Sequence, residues 1–366
     1  MCGIFDECHY IKSPKTVRSK ASIRLSAAIP RSFMLTGTPI INRPHELWPT
    51  LHIIDDGKWP NSYAFQQRYC KFGGFEGRQI VGVKNARELN DKIKPILVRR
   101  KKKDVVDLPP KIRSRVVVEM HPTQAKLYKE AKEQMRLTLP GESASPMEMG
   151  SALVTAGRLR QIACTPYCVR DEKGNPLFED NSTKLDVVVQ SALEAIDNDD
   201  RPLIFSDYRG VLDALAQRFA KAGVHAAQLH GGIKTADRVA HVDAWGERLP
   251  EPLLCITKVA GQGLNMAEYS STAIFATRNW APAWNEQAEN RIHRIGSGMT
   301  SSVNIITVTS LDTIEERVEE VLADKQKISS QIIDGEFDVD DIDNTTDVDL
   351  RQKLYDLLLE ELNDDR

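Results

Sequence analysis

The 366-residue chain has no long apolar run. Its longest stretches extend over about five to seven residues, far short of the roughly 20 that a membrane-spanning helix needs. No basic region followed by an apolar core stands at the N-terminus, so no secretory signal is read there. Cysteine is scarce and scattered: Cys2, Cys8, Cys70, Cys164, Cys168 and Cys255. Only Cys164 and Cys168 lie close together, with no second pair nearby, so zinc-ligand spacing is not met and a reducing, intracellular compartment fits. No internal repeat is present. No G-x-x-x-x-G-K-[ST] pattern occurs anywhere; GGFEGR (73–78) and GSGMTS (296–301) lack the lysine and the spacing.

What is there suits a soluble globular chain of two or three domains, with 41% hydrophobic and 28% charged residues. The net charge of −3 hides an asymmetry: residues 334–366 carry −10, and the rest of the chain carries +7. A mildly basic body with an acidic tail is compatible with an anionic partner such as nucleic acid, although solvated charge is the default for any surface.

The most regular region is roughly 183–330. PLIFS (202–206), VHAAQLH (224–230), LLCIT (253–257), TAIFAT (272–277) and VNIITV (303–308) read as strands. Helical patterns separate them, one with Val211, Leu212, Leu215 and Phe219 on a single face, others at 234–246, 283–295 and 311–330. Strand–helix alternation with short loops predicts an α/β fold with a parallel sheet covered on both faces. The first third differs. RSFMLT (31–36) reads as a strand, but 45–160 offers few convincing strands besides VVVEM (116–120). Helices are expected at 86–97, 122–138 and 147–163, and loops at 139–146 and 171–182. Residues 334–349 read as disordered by composition, and 350–362 as a short amphipathic helix suited to docking on the body or on a partner.

Four segments carry chemistry. DECH (6–9) follows the apolar run Gly3-Ile4-Phe5. Asp6 can hold magnesium through water, and Glu7 can orient an attacking water. Taken alone, the tetrapeptide reads equally well as an acidic loop closing a strand. LTGTPI (35–40) exposes hydroxyls and backbone N–H groups of Thr36, Gly37 and Thr38 where Pro39 ends a ladder. In ITKVAGQGLNM (256–266), Gly261 and Gly263 permit close backbone approach to a phosphate before a helix start, a common kind of turn. In WNEQAENRIHRIGS (284–297), Gln287, Arg291 and Arg294 fall on one face of the expected helix, and Gly296 is placed to end it. Such a stripe serves either solubility or a phosphate clamp, for which arginine's fixed charge and planar fork are suited.

Taken in order, these segments resemble helicase superfamily two, and within it the Swi/Snf (sucrose-non-fermenting) family of double-stranded-DNA translocases, over about residues 1–325. DECHYIKSPKTVRSKA resembles motif II, and LTGTPIINRPHELWPTLHII motif III. ILVRRKKKDVVDLPPK (96–111) is similar to the basic linker, and LRQIACTPY (159–167) to a helix of the second lobe's insertion. LIFSDY (203–208), LHGG (229–232) with Arg238, 256–266 and 284–297 resemble motif IV, its follow-on, V and VI. NRPHELW is closest to the annealing-helicase-like, HepA-related branch.

The resemblance implies two RecA-like lobes, the first incomplete. Residues 1–50 would be the C-terminal part of the first lobe and 51–182 the helical insertions and basic linker. Residues 183–330 would be the second lobe, and 331–366 an acidic tail with a short helix. It implies ATP and Mg2+ as cofactors, with Asp6 and Glu7 as the magnesium and water residues. His9, Thr36, Gly37 and Thr38 would couple nucleotide state to motion. Arg291 and Arg294 would be arginine fingers supported by Gln287. Gly261, Gly263 and Asn265 would lie near the phosphates, and Thr257, Lys258, Arg99, Arg100 and Lys101 would contact double-stranded DNA. Placement would be cytoplasmic or nucleoid in a prokaryote or virus and nuclear in a eukaryote. Gln262, Asn290 and Ser297 depart mildly from the family pattern. The larger departure is the missing phosphate loop, which implies an unpaired sheet edge with exposed apolar surface, and a separate polypeptide supplying the phosphate-loop (Walker A) half. A non-hydrolysing DNA- or protein-binding module, or a truncated gene product, are the alternatives.

Overall fold

The computed structural model describes residues 2–41, 43–73, 79–138, 156–248, 250–260, 263–294, 302–336 and 360–361. Two compact units emerge: Met1–Arg100 with Ala281–Ala283 and Glu320–Asp356, and Lys101–Trp280 with Trp284–Glu319 and Leu357–Arg366.

The first unit begins with strand β1 (Cys2–Phe5), crosses through the helix Val17–Ala27, and returns as β2 (Arg31–Met34) parallel to β1, in register from Cys2↔Arg31 to Phe5↔Met34. Parallel strands need such a crossover. Its helix is started by Thr16, whose hydroxyl accepts from the Ser19 N–H, while the buried Ser19 hydroxyl donates to the Ile11 carbonyl at 2.8 Å. Among the described residues β1 and β2 pair only with each other. Side chains alternate in and out, so Phe5 and Met34 pack toward Cys8, Ile11 and Ile53, whereas Ile4 and Phe33 are 66% and 55% exposed. The larger core of this unit gathers Trp48, Leu51, Trp59 and Phe65 around Ile328, Ile332 and Ile333. The last three come from the helix Ile314–Asp334, which gives its first residues to the second unit and, from Glu320 on, the rest to the first.

A hairpin, β3 (Cys70–Gly73) with β4 (Gln79–Val83), occupies a region in which the sequence shows no strand pattern. Strands of four and five residues are too short for a period to register. The expected helix 86–97 stops at Ile93 and gives way to a 3-10 turn, Lys94–Ile96, because Pro95 cannot donate to a continuing helix.

The second unit is an α/β layer structure. Its six strands are β5 (Lys111–Val118), β6 (Leu203–Ser206), β7 (Ala227–Leu229), β8 (Leu253–Ile256), β9 (Thr272–Phe275) and β10 (Val303–Ser310). All pairings are parallel, in the order β5-β10-β9-β6-β8-β7. Helices cover both faces. Phe205, Leu253 and Phe275 point to one side with Trp245 and Met266; Ile204, Leu254 and Ile274 point to the other with Val188, Leu212 and Phe219. Strands buried on both faces read as unbroken apolar runs, which is why β6, β8 and β9 were visible in the sequence. β5 starts five residues before the expected 116, because Lys111, Arg113 and Arg115 on this edge strand mask it. Lys184, buried at the start of the helix Thr183–Asp197, is held by both oxygens of Glu315 at 2.7 Å. No helix among the described residues is long and apolar enough to cross a membrane. Most of the expected tail helix 350–362 lies outside the described residues; Glu360 and Glu361 are helical, and Glu361 accepts from the Tyr128 hydroxyl at 3.0 Å.

Candidate functional site

In the first unit, β1 delivers Asp6 just beyond its end. The Leu35 N–H donates to the Phe5 carbonyl and the Cys8 N–H to the Leu35 carbonyl, both at 2.9 Å, so DECH and LTGTP are laced together. Glu7 sits in the left-handed region (φ 49°, ψ 45°) and donates its N–H to Asp6 Oδ1 at 2.8 Å. A non-glycine residue held there costs roughly 1–3 kcal/mol, a strain that clusters at working sites. Asp6 is exposed and the Glu7 side chain is 44% exposed, while His9 is buried. His9 Nδ1 lies 3.0 Å from Thr36 Oγ1 and 3.2 Å from Glu7 Oε2, and Thr36 Oγ1 accepts from the Thr38 N–H at 3.1 Å. Burial, with Lys12 adding to it, lowers the His9 pKa against the pull of Asp6 and Glu46. Both contacts fall on Nδ1, so in the tautomer protonated there Glu7 and Thr36 compete for a single N–H. The Gly37 carbonyl accepts from Arg99 Nη1 at 3.4 Å.

The donors here are hard oxygens, the kind magnesium takes while keeping several waters. No cluster of three or more His, Cys, Asp or Glu able to cage a metal occurs among the described residues. Asp6, an exposed carboxylate just beyond β1, is a donor of that kind.

In the second unit, β8 ends at Ile256 and runs into a short helix, Thr257–Ala260. Thr257 is fully buried, with its hydroxyl unpartnered, and Lys258 is exposed. Gly261 lies outside the described residues. Gly263 takes φ +66°, and Asn265, exposed, accepts from the Ala267 N–H at 3.4 Å.

The expected helix 283–295 is shorter: it spans Pro282–Glu289. Beyond it the chain tightens, with Arg291 N–H donating to the Ala288 carbonyl at 3.0 Å and Ile292 N–H to the Glu289 carbonyl at 3.3 Å. The Arg291 carbonyl accepts from the Met266 N–H at 3.1 Å, and Arg291 Nη1 donates to the Leu264 carbonyl at 2.8 Å. These tertiary bonds draw the segment out of the helix, so Gln287, Arg291 and Arg294 do not form one helical stripe. Gln287 and Arg291 are buried, and Arg294 is half-buried past the turn.

The basic run 99–103 divides. Arg99 pairs with Asp334 at 3.0 Å, Arg100 is exposed and Lys101 is half-buried. Lys102 is an exposed residue, yet its Nζ donates to Asn290 Oδ1 at 3.1 Å and to the His293 carbonyl at 2.9 Å. Loss of solvent around its ammonium, with Lys111, Arg294 and Arg291 adding like charge against Glu286, brings its pKa down to about 8. Arg99, Arg100 and Lys101 are the residues of this run expected at DNA, and the destination of Lys102 is not visible in the sequence run. The one available signal was Asn290, standing where the family pattern has Asp.

Residues 2–168 match the SNF2-related domain and residues 183–296 the helicase conserved C-terminal domain. The chain is 26% identical over 340 residues to the DNA annealing helicase and endonuclease ZRANB3 of Mus musculus, covering 91% of this chain and 30% of that protein. It is 27% identical to the putative ATP-dependent helicase/translocase YwqA of Bacillus subtilis, covering 90% of this chain and 35% of the relative. The chain thus spans about a third of the length of the curated relatives it matches. Among solved structures, the Sulfolobus solfataricus SWI2/SNF2 ATPase core in complex with dsDNA aligns with a TM-score of 0.51 at 25% identity, over 91% of this chain and 69% of that one. The C-terminal part of the Fun30 ATPase domain aligns with a TM-score of 0.52 at 21% identity, over 70% of this chain and 99% of that one, a likeness of fold. With both domains matched in order and the motif II and III segments laced as one cluster, the chain belongs to the Swi/Snf family of helicase superfamily two.

Proposed function

We propose that the chain is the part of a DNA-dependent ATPase that handles the attacking water and the developing charge, and that its activity remodels or reanneals duplex DNA. The observation that carries this reading is the Glu7–His9–Thr36 cluster, in which a histidine joins a carboxylate to a residue 27 positions away. Glu7 orients the water, Asp6 holds magnesium through water, and His9 shifts between Glu7 and Thr36 to report the nucleotide state on Thr36–Thr38. When bound with ATP, magnesium neutralises charge on the phosphates. Arg294 is the leading arginine finger; Arg291, engaged with Leu264, and Gln287 support it. Gly263 and Asn265 lie near the phosphates.

The cradle for the β- and γ-phosphates comes from residues outside these 366, in a longer chain or on a separate polypeptide. Exposed Ile4 and Phe33 on an open two-stranded sheet support a docking place for that segment. Without it, the arginines alone are a weak substitute in a solvated site, and the chain hydrolyses ATP negligibly. Lys258, Arg100 and Lys101 contact duplex phosphates; Thr257, being buried, acts by setting the turn that presents Lys258, and Arg99 joins once released from Asp334. The reading implies an intracellular, DNA-associated placement.

Phosphate contacts make binding sequence-tolerant and steeply salt-dependent. Binding of the chain to two unrelated duplexes at 50 and 200 mM salt tests this. Similar affinity for both, with a clear drop at the higher salt, is expected; salt-independent binding, or none at either salt, contradicts the DNA reading.

A further inference from the structure

The end of the basic run and the residues after it, 102–111, lie along the turn that leads to Arg294. Five polar ties bind the two. Lys102 Nζ donates to the His293 carbonyl at 2.9 Å and to Asn290 Oδ1 at 3.1 Å. The His293 ring donates from Nε2 to the Pro109 carbonyl at 2.9 Å. Lys111 Nζ reaches both Glu289 Oε2 and Asn290 Oδ1 at 3.3 Å. Two further cations, Arg113 at 2.6 Å and Arg278 at 3.1 Å, hold the nearly buried Glu289 carboxylate. Burial works to raise the Glu289 pKa, but Arg278, Lys111 and Arg113 outweigh it and leave it below the ordinary value.

The arrangement has a physical consequence. The helix ends at Glu289, and beyond it backbone N–H groups bond backward as far as Ile292, Asn290 to the Glu286 carbonyl at 2.9 Å, Arg291 to Ala288 at 3.0 Å and Ile292 to Glu289 at 3.3 Å, which leaves His293 and Arg294 past the last of these bonds among the described residues. The carbonyl of His293 immediately precedes Arg294, and its acceptor is satisfied by the Lys102 ammonium. A charge-assisted bond at that carbonyl sets the direction in which the chain presents Arg294.

We propose that Lys102 is a positioning residue for Arg294: it straps the linker to the 290–293 turn and fixes where the arginine emerges, while Lys111 anchors the other end of the strap at Asn290 and Glu289. The assignment of Lys102 rests on the functional reading of Arg294 given above, but the strap is a property of the second unit alone. It separates Lys102 from its neighbours Arg100 and Lys101, which are phosphate contacts in the same reading.

The test uses the full chain and two variants, Lys102→Met and Lys102→Arg. Hydrogen–deuterium exchange of the peptide covering 286–294 is expected to speed up in Lys102→Met, with the helix Arg209–Lys221 unchanged, and to return toward wild type in Lys102→Arg. Unchanged exchange over 286–294 in Lys102→Met overturns the strap. In the enzyme completed by a phosphate-loop segment, Lys102→Met is expected to lower kcat by about tenfold, since small misplacements of a catalytic group cost that much or more. KM for ATP and duplex affinity stay as they were, and Lys102→Arg recovers part of the loss. A weakened duplex affinity with kcat intact makes Lys102 a DNA contact and overturns the positioning role. If the completed wild-type enzyme hydrolyses no ATP, the functional reading falls, and the exchange result still decides the strap.

Discussion

The second unit buries every residue of β6 and β9 and all but partly exposed Ile256 of β8, with helices on both faces. The first unit has two parallel strands whose outward residues, Ile4 and Phe33, meet solvent. The same chain thus treats similar apolar residues in opposite ways. In β6, β8 and β9 a strand's apolar residues are core; in β1 and β2 they alternate, with Ile4 and Phe33 at the surface. On the proposed reading the segment that brings the phosphate cradle covers these two, so the unit whose sheet is open is also the unit whose site is unfinished.

One residue type placed in both units gives the sharpest break. Phe275 is fully buried and stacks on Phe205 with ring centroids 5.0 Å apart. Phe275→Ala is expected to cost about 3–5 kcal/mol by loss of burial and cavity formation. Phe33→Ala should stay within about 0.5 kcal/mol, as surface substitutions do, while reducing self-association. Urea unfolding and light scattering of both variants check the pair; equal destabilisation would erase the contrast.

Acid should act on both units. Burial lowers the pKa of His9 and His45 in the first unit and of His293 in the second. Unfolded, each takes up a proton near 6.5; folded, each resists until a lower pH. The stability they contribute is therefore complete above about 6.5 and is lost as pH falls from there toward the depressed folded values. Urea midpoints should be lower at pH 5.5 than at 7.5, and His9→Gln should narrow that difference for the first unit only. A midpoint that does not move between the two pH values contradicts the neutral-histidine account.

Thr16→Ala removes the cap of the helix that joins β1 to β2 and is expected to cost about 1 kcal/mol. Because β1 and β2 have no other strand partners among the described residues, the loss should appear as faster hydrogen exchange across β1–β2, with β6 and β8 unaffected. The smallest effect concerns Arg99, whose partly exposed pair with Asp334 is worth about 1 kcal/mol. Asp334→Asn frees Arg99 and should tighten duplex binding modestly at low salt and not at high salt; weaker binding would show that Asp334 has another role.

Legibility followed burial. β6, β8 and β9 were readable because both-face burial writes continuous apolar runs, and DECH and LTGTP because carboxylates, hydroxyls and a Gly-Thr-Pro turn stand out where apolar runs end. The hairpin β3–β4 was not readable, since its residues are few and its alternation short. Nor was the end of the helix at Glu289, where the chain tightens into bonds three residues back and Arg291 and His293 are engaged by Met266, Leu264 and Lys102, far away in sequence. Thr257 and Lys258 look alike as polar neighbours, and only the fold separates a buried hydroxyl from an exposed ammonium. Composition likewise treats the five cations 99–103 as one run, although Arg99 and Lys102 have distinct partners.

The measurement that bears most directly on the central claim is ATP hydrolysis in the presence of duplex DNA, made on the chain alone and on the chain joined to or mixed with a segment carrying a strand and a G-x-x-x-x-G-K-[ST] loop. Negligible turnover by the chain alone, DNA-stimulated turnover once the segment is supplied, and loss of that turnover in Glu7→Gln are the expected results. Robust hydrolysis by the purified chain alone, abolished by Glu7→Gln, would contradict the account.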